Sequence, residues 1–226
     1  KIISMKKINY FLIIVLVVSL SGCSIFNGGG SDKPFEGYIK YSVDYEGEID
    51  EQTRAQLPTS IKEYFKATKS RKDQESAMYS ISQISDYENK QVTVLMDMMG
   101  QKIAFKQNEE DMKEAMENMD SLNVNETSET KEILGYTCKK LEVEKDGDYY
   151  DFYVTDEINV QGNPYWSTQY KNIDGVLLQY TAEQQGMVMT YTASEVVEEK
   201  VKEAKFQIPD DYEEKSAEEL KSIFGG

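Results

Sequence analysis

FEGYIKYSVDYEG, residues 35 to 47, repeats its character every second position. Phe35, Ile39, Tyr41, Val43 and Tyr45 fall on one face of an extended chain, and Glu36, Lys40, Ser42 and Asp44 on the other. Successive side chains of a strand point to opposite sides, so the stretch reads as a strand with one face buried and one wet. That is the pattern of an antiparallel sheet.

The same period returns along the chain. AMYSISQI (77–84) alternates, and QVTVLMDM (91–98) places Val92, Val94, Met96 and Met98 together. Gly100 turns the chain into KIAFK (102–106). CKKLEVEK (138–145) and DYYDFYVT (148–155) flank Asp146-Gly147, a dipeptide that a tight hairpin turn favours. Residues 156–165 read as a loop, and VLLQYTA (176–182) with MVMTYTASEVV (187–197) as another hairpin around Gln185-Gly186.

Helical spacing interrupts this pattern. Leu57, Ile61, Tyr64 and Phe65 predict a helix over 59–68, with Pro58 near its start. EEDMKEAMENM predicts a second over 109–119, with Met112, Met116 and Met119 in one stripe and acids in the first turn, where the helix dipole favours them. In the tail, Phe206–Ile208 read as a short strand and Pro209 as a break. Ser216 with Glu219 forms a capping box that opens a C-terminal helix. Short connections without βαβ alternation predict an α+β fold: a single curved antiparallel sheet of eight to eleven strands, covered by two or three helices.

Upstream of this region the sequence is an address. Met5, Lys6 and Lys7 read as a translation start, followed by an apolar run from Phe11 to Leu20. That run is half of the ~20 residues needed to span a bilayer core, and it fits a secretory signal. It ends in Leu20-Ser21-Gly22-Cys23, which resembles the lipobox of bacterial lipoproteins. The resemblance implies that residues 1–22 are removed and that Cys23 is acylated and becomes the new N-terminus. Two or more acyl chains hold a protein firmly at a membrane. Residues 23–34 then form the lipidated tether, reaching roughly 18 Å as a flexible coil, and residues 35–226 form one domain. Ser24 stands where an aspartate would signal inner-membrane retention, which implies anchoring at the outer membrane of the cell envelope.

Composition narrows the function. The 226 residues carry a formal charge of −16, and loss of Lys1, Lys6 and Lys7 with the signal takes it to −19. Such a surface repels nucleic acid. With Cys23 acylated, Cys138 has no disulfide partner and reads as a small buried hydrophobe. The chain has no histidine, which removes Ser-His and Cys-His nucleophile activation and imidazole metal sites. No phosphate-cradling glycine loop appears, and Asp146-Gly147-Asp148 with Asp151 fails the spacing of a calcium loop. The expectation is a protein that is not an enzyme and carries no cofactor or metal.

Three segments bear a family resemblance. TKEILGYTCKK (130–140), the aromatic strand ending in Tyr153-Val154-Thr155, and Phe206, Ile208, Pro209 and Tyr212 in an F-x-I-P-x-x-Y tail are similar to uncharacterised Gram-negative envelope proteins. Those proteins are grouped with the LolA-like lipoprotein-sorting fold. The resemblance implies an incomplete antiparallel half-barrel whose concave face is covered by helices and, in the sorting proteins, binds acyl chains.

The soft residues are then the candidate ligand contacts. Met96 and Met98 share one strand face, Met187 and Met189 share another with Tyr191, and Met112 and Met116 stripe the helix. Trp166, the sole tryptophan, is expected at the mouth with its N–H wet. Either these residues line a pliable cavity for an acyl chain or other apolar ligand, or they are ordinary core. The first gives a membrane-anchored binder of hydrophobic molecules. The second gives a non-catalytic envelope scaffold with a filled core and a protein partner.

Overall fold

The computed structural model describes residues 33–117, 122–145, 147–184, 186–216 and 219–220. Cys23, the signal segment, the tether up to residue 32 and Met119 lie outside them, as do Asp146, Gln185 and most of the proposed C-terminal helix.

β1 (Gly37–Tyr45) forms as its alternation requires, with Ile39, Tyr41 and Val43 buried on one face. After it comes a single helical turn, α1 (Glu51–Arg54), capped by the Asp50 carboxylate on the Thr53 N–H. The helix expected over 59–68 is instead a strand, β2 (Ser60–Lys66), which pairs with β1 from Gly37↔Phe65 to Ser42↔Ser60. β1 supplies a full row of backbone partners here, whereas a ten-residue helix is marginal on its own. β3 (Lys69–Glu75), β4 (Tyr79–Asp86), β5 (Gln91–Met98) and β6 (Gln101–Asn108) follow as a meander. α2 (Glu109–Glu117) is the second helix, close to its expected bounds.

The second half of the chain runs through β7 (Asn123–Ile133), β8 (Tyr136–Lys145), β9 (Asp148–Thr155), β10 (Val176–Gln184) and β11 (Met187–Glu198). β11 returns to pair with β1, so the first strand sits in mid-sheet. Phe206 ends a 3₁₀ turn (Glu203–Phe206) rather than entering a strand. The tail then adds β12 (Glu213–Glu214), parallel to β6. Ser216 and Glu219 make both reciprocal bonds of the capping box.

Twelve strands therefore form one mixed sheet in the order β12-β6-β5-β4-β3-β2-β1-β11-β10-β9-β8-β7. This overturns the α+β expectation and, with it, the LolA-like half-barrel under a helical cover. The sheet is strongly bent but open, because β7 and β12 end it without pairing to each other. Among the described residues, the helices α1 and α2 are too short to cover it.

Irregular chain covers both faces instead. On the inner face, residues 156–175 contribute Ile158, Tyr165, Tyr170 and Ile173 to a core with Tyr41, Phe65, Phe152 and Leu177. On the outer face, Val201 and Phe206 pack over Ile84, Leu95 and Ala104, with Tyr64 and Tyr212 alongside. Polar ties fix this strap. Lys66 donates to the Val201 carbonyl at 2.6 Å, and the Arg71 guanidinium donates to the Lys205 carbonyl at 2.9 Å. Gly162 and Pro164 fall inside the inner cover, where glycine and proline chemistry favours successive turns over a helix.

At the β1–β11 seam the backbones approach so closely that a Cβ on Gly37 would lie 2.0 Å from the Val197 carbonyl oxygen. Gly37→Ala is expected to destabilise the protein by about 1–3 kcal/mol, the usual cost of overpacking, read as a lower urea midpoint at unchanged slope.

Candidate functional site

The bend of the sheet brings distant strands face to face. Lys72 on β3 and Tyr180 on β10 are four strand spacings apart, about 19 Å if the sheet were flat. The Lys72 Nζ nevertheless lies 6.0 Å from the centre of the Tyr180 ring. The cover is fastened across this gap by two consecutive residues. The Leu177 N–H on β10 donates to the Tyr165 hydroxyl at 2.9 Å, and the Trp166 indole N–H donates to the Ser85 hydroxyl on β4 at 3.0 Å. Gly162, at φ +77°, rides close over the Tyr87 ring, where a Cβ would be 3.2 Å from the nearest ring carbon.

Between sheet and cover lies a polar cleft of about 50 Å3. It is lined by Glu63, Lys72 and Gln83 from the sheet and by Tyr165, Tyr170 and Tyr180 opposite. Register explains the sheet side, since Glu63 pairs with Lys72 and Lys72 with Gln83, which puts all three on one face. The Glu63 carboxylate is only 6% exposed, and its ion pair with Lys72 is long at 3.9 Å. Burial opposes the Lys72 ammonium, but the Glu63 carboxylate and the neighbouring tyrosines outweigh it, so the lysine pKa is raised. Near the cleft, the Tyr87 hydroxyl is buried and has no partner within 3.5 Å among the described residues, although the nearby Ser70 hydroxyl partly offsets its desolvation. Burial lifts its pKa well above the ordinary value, and the Glu63 charge adds to that.

The described residues of the expected apolar lining fall in several different surroundings. Met112 and Trp166 are buried together with Tyr87 and Val92, and Met116 packs against them. Met189 is buried in the main core, where Tyr191 packs beside it and stacks on Tyr180 with ring centres 4.8 Å apart. Met187 is half-buried opposite Gln184. Met96 is half-buried between Ile81 and Ile103, and Met98 is 40% exposed at the strand end. Trp166 is 4% exposed, so its N–H is spent on Ser85 rather than on water. Three further clefts lined by described residues hold about 10, 40 and 70 Å3. No group of three or more His, Cys, Asp or Glu among them stands ready to hold a metal.

Sequence reading missed Glu63 and Lys72. The available signal was a charge at the middle of the Ile61, Glu63, Phe65 alternation, visible only once β2 is read as a strand.

Trp166→Phe keeps the ring contacts and deletes the Ser85 bond. The expected loss is about 1–2 kcal/mol in urea unfolding. The native tryptophan emission should be blue-shifted and resist acrylamide quenching. Cys138 is fully buried, and burial, with the Glu157 charge adding, pushes its thiol up to about 11. In a Cys23→Ser variant the native protein should therefore leave a thiol reagent unreacted at pH 8. Labelling should appear on denaturation or as the pH nears 11.

No family model matches the chain, and no curated protein does. Its fold is similar to solved structures of PNGF-II in two crystal forms. The C2 form gives a TM-score of 0.53 at 19% identity, and the P21 form 0.54 at 18%. Both matches cover 84% of this chain and 32–33% of PNGF-II, so the chain spans about a third of that protein's length. At this identity the likeness carries the fold alone.

Proposed function

We propose that the chain is a non-catalytic interaction module of the bacterial cell envelope, acylated on Cys23 and held at the outer membrane, with a protein as its partner. The filled inner face carries this reading. A carrier of acyl chains needs a pocket of roughly 300–1,000 Å3, whereas residues 156–175 occupy the concave side and the four clefts named above hold 10 to 70 Å3. The lipobox and the acidic surface support the rest. At −19 the protein body is repelled by anionic headgroups, which leaves the anchor to hold the membrane.

The exposed apolar side chains favour a protein partner. Met78, Met98 and Met99 are 49%, 40% and 87% exposed, at the turns that join β3 to β4 and β5 to β6. Register places those turns at the opposite end of the strands from Gly37, where the chain enters the sheet. Soft, unbranched side chains at the distal tip suit an adaptable protein contact.

Two measurements test the reading. Metabolic labelling with a palmitate analogue should mark the wild type and leave Cys23→Ser unmarked and released from the membrane; an unlabelled wild type overturns the anchor. Native mass spectrometry of residues 31–226, secreted without Cys23, should find protein free of lipid. A stoichiometric lipid that survives dilution would instead make the chain a carrier whose inner cover can leave.

A further inference from the structure

The Glu63 carboxylate stands at one wall of the cleft with only a long ion pair to hold it. It is 6% exposed, accepts no hydrogen bond within 3.5 Å from the described residues, and has Lys72 3.9 Å away as its nearest cation. A buried carboxylate without donors is strongly unfavourable. The gap to Lys72 is too long for a direct hydrogen bond. A hydroxyl-bearing molecule in the cleft, water included, would donate to Glu63 and accept from Lys72.

The walls restrict what that occupant can be. The cleft of about 50 Å3 is several times the space one water needs, ~10–15 Å3. Glu63 and Lys72 balance each other, so a net charge on the occupant would leave one of them opposed. Gln83 adds an amide that both donates and accepts. Across from these groups stand Tyr165, Tyr170 and Tyr180, whose carbon-rich rings suit C–H rather than ionic surface. The Lys72 side chain is 37% exposed, so the cleft opens to solvent at the lysine and a longer molecule could extend outward from there.

We propose that the cleft between β2, β3 and the inner cover binds a small neutral polyol, or the hydroxyl-bearing end of a larger one. One hydroxyl donates to Glu63, a neighbouring oxygen accepts from Lys72, and the carbon skeleton lies against the tyrosine rings. This site is independent of the anchor and of any protein partner.

Erythritol is the probe, offered to the full-length chain in detergent micelles and read by saturation-transfer NMR. Butan-1-ol, with the same carbon count and one hydroxyl, is the control. The expected result is saturable transfer to erythritol with a Kd on the order of 1 mM and none to butan-1-ol. Lys72→Met and Glu63→Gln should each weaken binding about tenfold, the worth of one charged hydrogen bond. Unchanged Trp166 emission checks that each variant folds. If Glu63→Gln fails that check, Lys72→Met alone decides. Absence of transfer in the wild type, equal transfer in Lys72→Met, or equal transfer to butan-1-ol overturns the proposal and assigns the cleft to ordered water.

Discussion

The inner face depends on two neighbouring side chains that reach in opposite directions. Tyr165 takes a hydrogen bond from β10, and Trp166 gives one to β4. Between those strands lie β11, β1, β2 and β3. Twist already disposes a sheet of this width to curl, and the two bonds hold the curl in place, because a flat sheet could not meet both partners of a single dipeptide. The cover thus closes the gap that a closed barrel would close by pairing its edges. It also buries a ladder of aromatic rings, Tyr41, Tyr180, Tyr170 and Phe152, in edge-to-face contacts that keep hydroxyls near polar groups.

The outer strap follows a different logic. Its apolar contacts are few, and its hold comes from charged donors on backbone carbonyls, which are stronger than neutral hydrogen bonds. Arg71 joins three partners in this way, because it also reaches the Asp73 carboxylate and the Ser82 hydroxyl. β3 has no apolar residue, yet it is a full strand. Its outward side chains serve the strap and its inward ones serve the cleft.

That division explains what could be read beforehand. β1, β5 and the paired strands of the second half were legible because each carries an alternating apolar run, even where the other face is also covered, as at Leu95. β2 was not, because the strap and the inner cover bury its two faces. Tyr64 packs under the strap and Phe65 enters the core, so apolar residues stand side by side and mimic a helical stripe. β3 and much of β7 lacked the apolar signal altogether. The stripe of α2 was legible as apolar, but its destination was not, because Met112 meets Trp166 only through the fold of the cover. The polar cleft was invisible for the same reason, since it exists only between a misread strand and a segment that looked like plain loop.

The central place of β1 has a consequence for how the molecule assembles. Its hairpin partner β2 is close along the chain, but its other neighbour arrives late, as the bond from Tyr38 to Glu195 across 157 positions illustrates. Closing so long a loop carries an entropic cost that grows with the logarithm of its length, and sheets built on such pairings fold in milliseconds to seconds rather than microseconds. Until β11 docks, one edge of β1 stands open with its backbone groups unpaired. The meander from β1 to β6 is therefore the unit that can form early. The seam at Gly37 is where the slow half of the molecule locks onto the fast one.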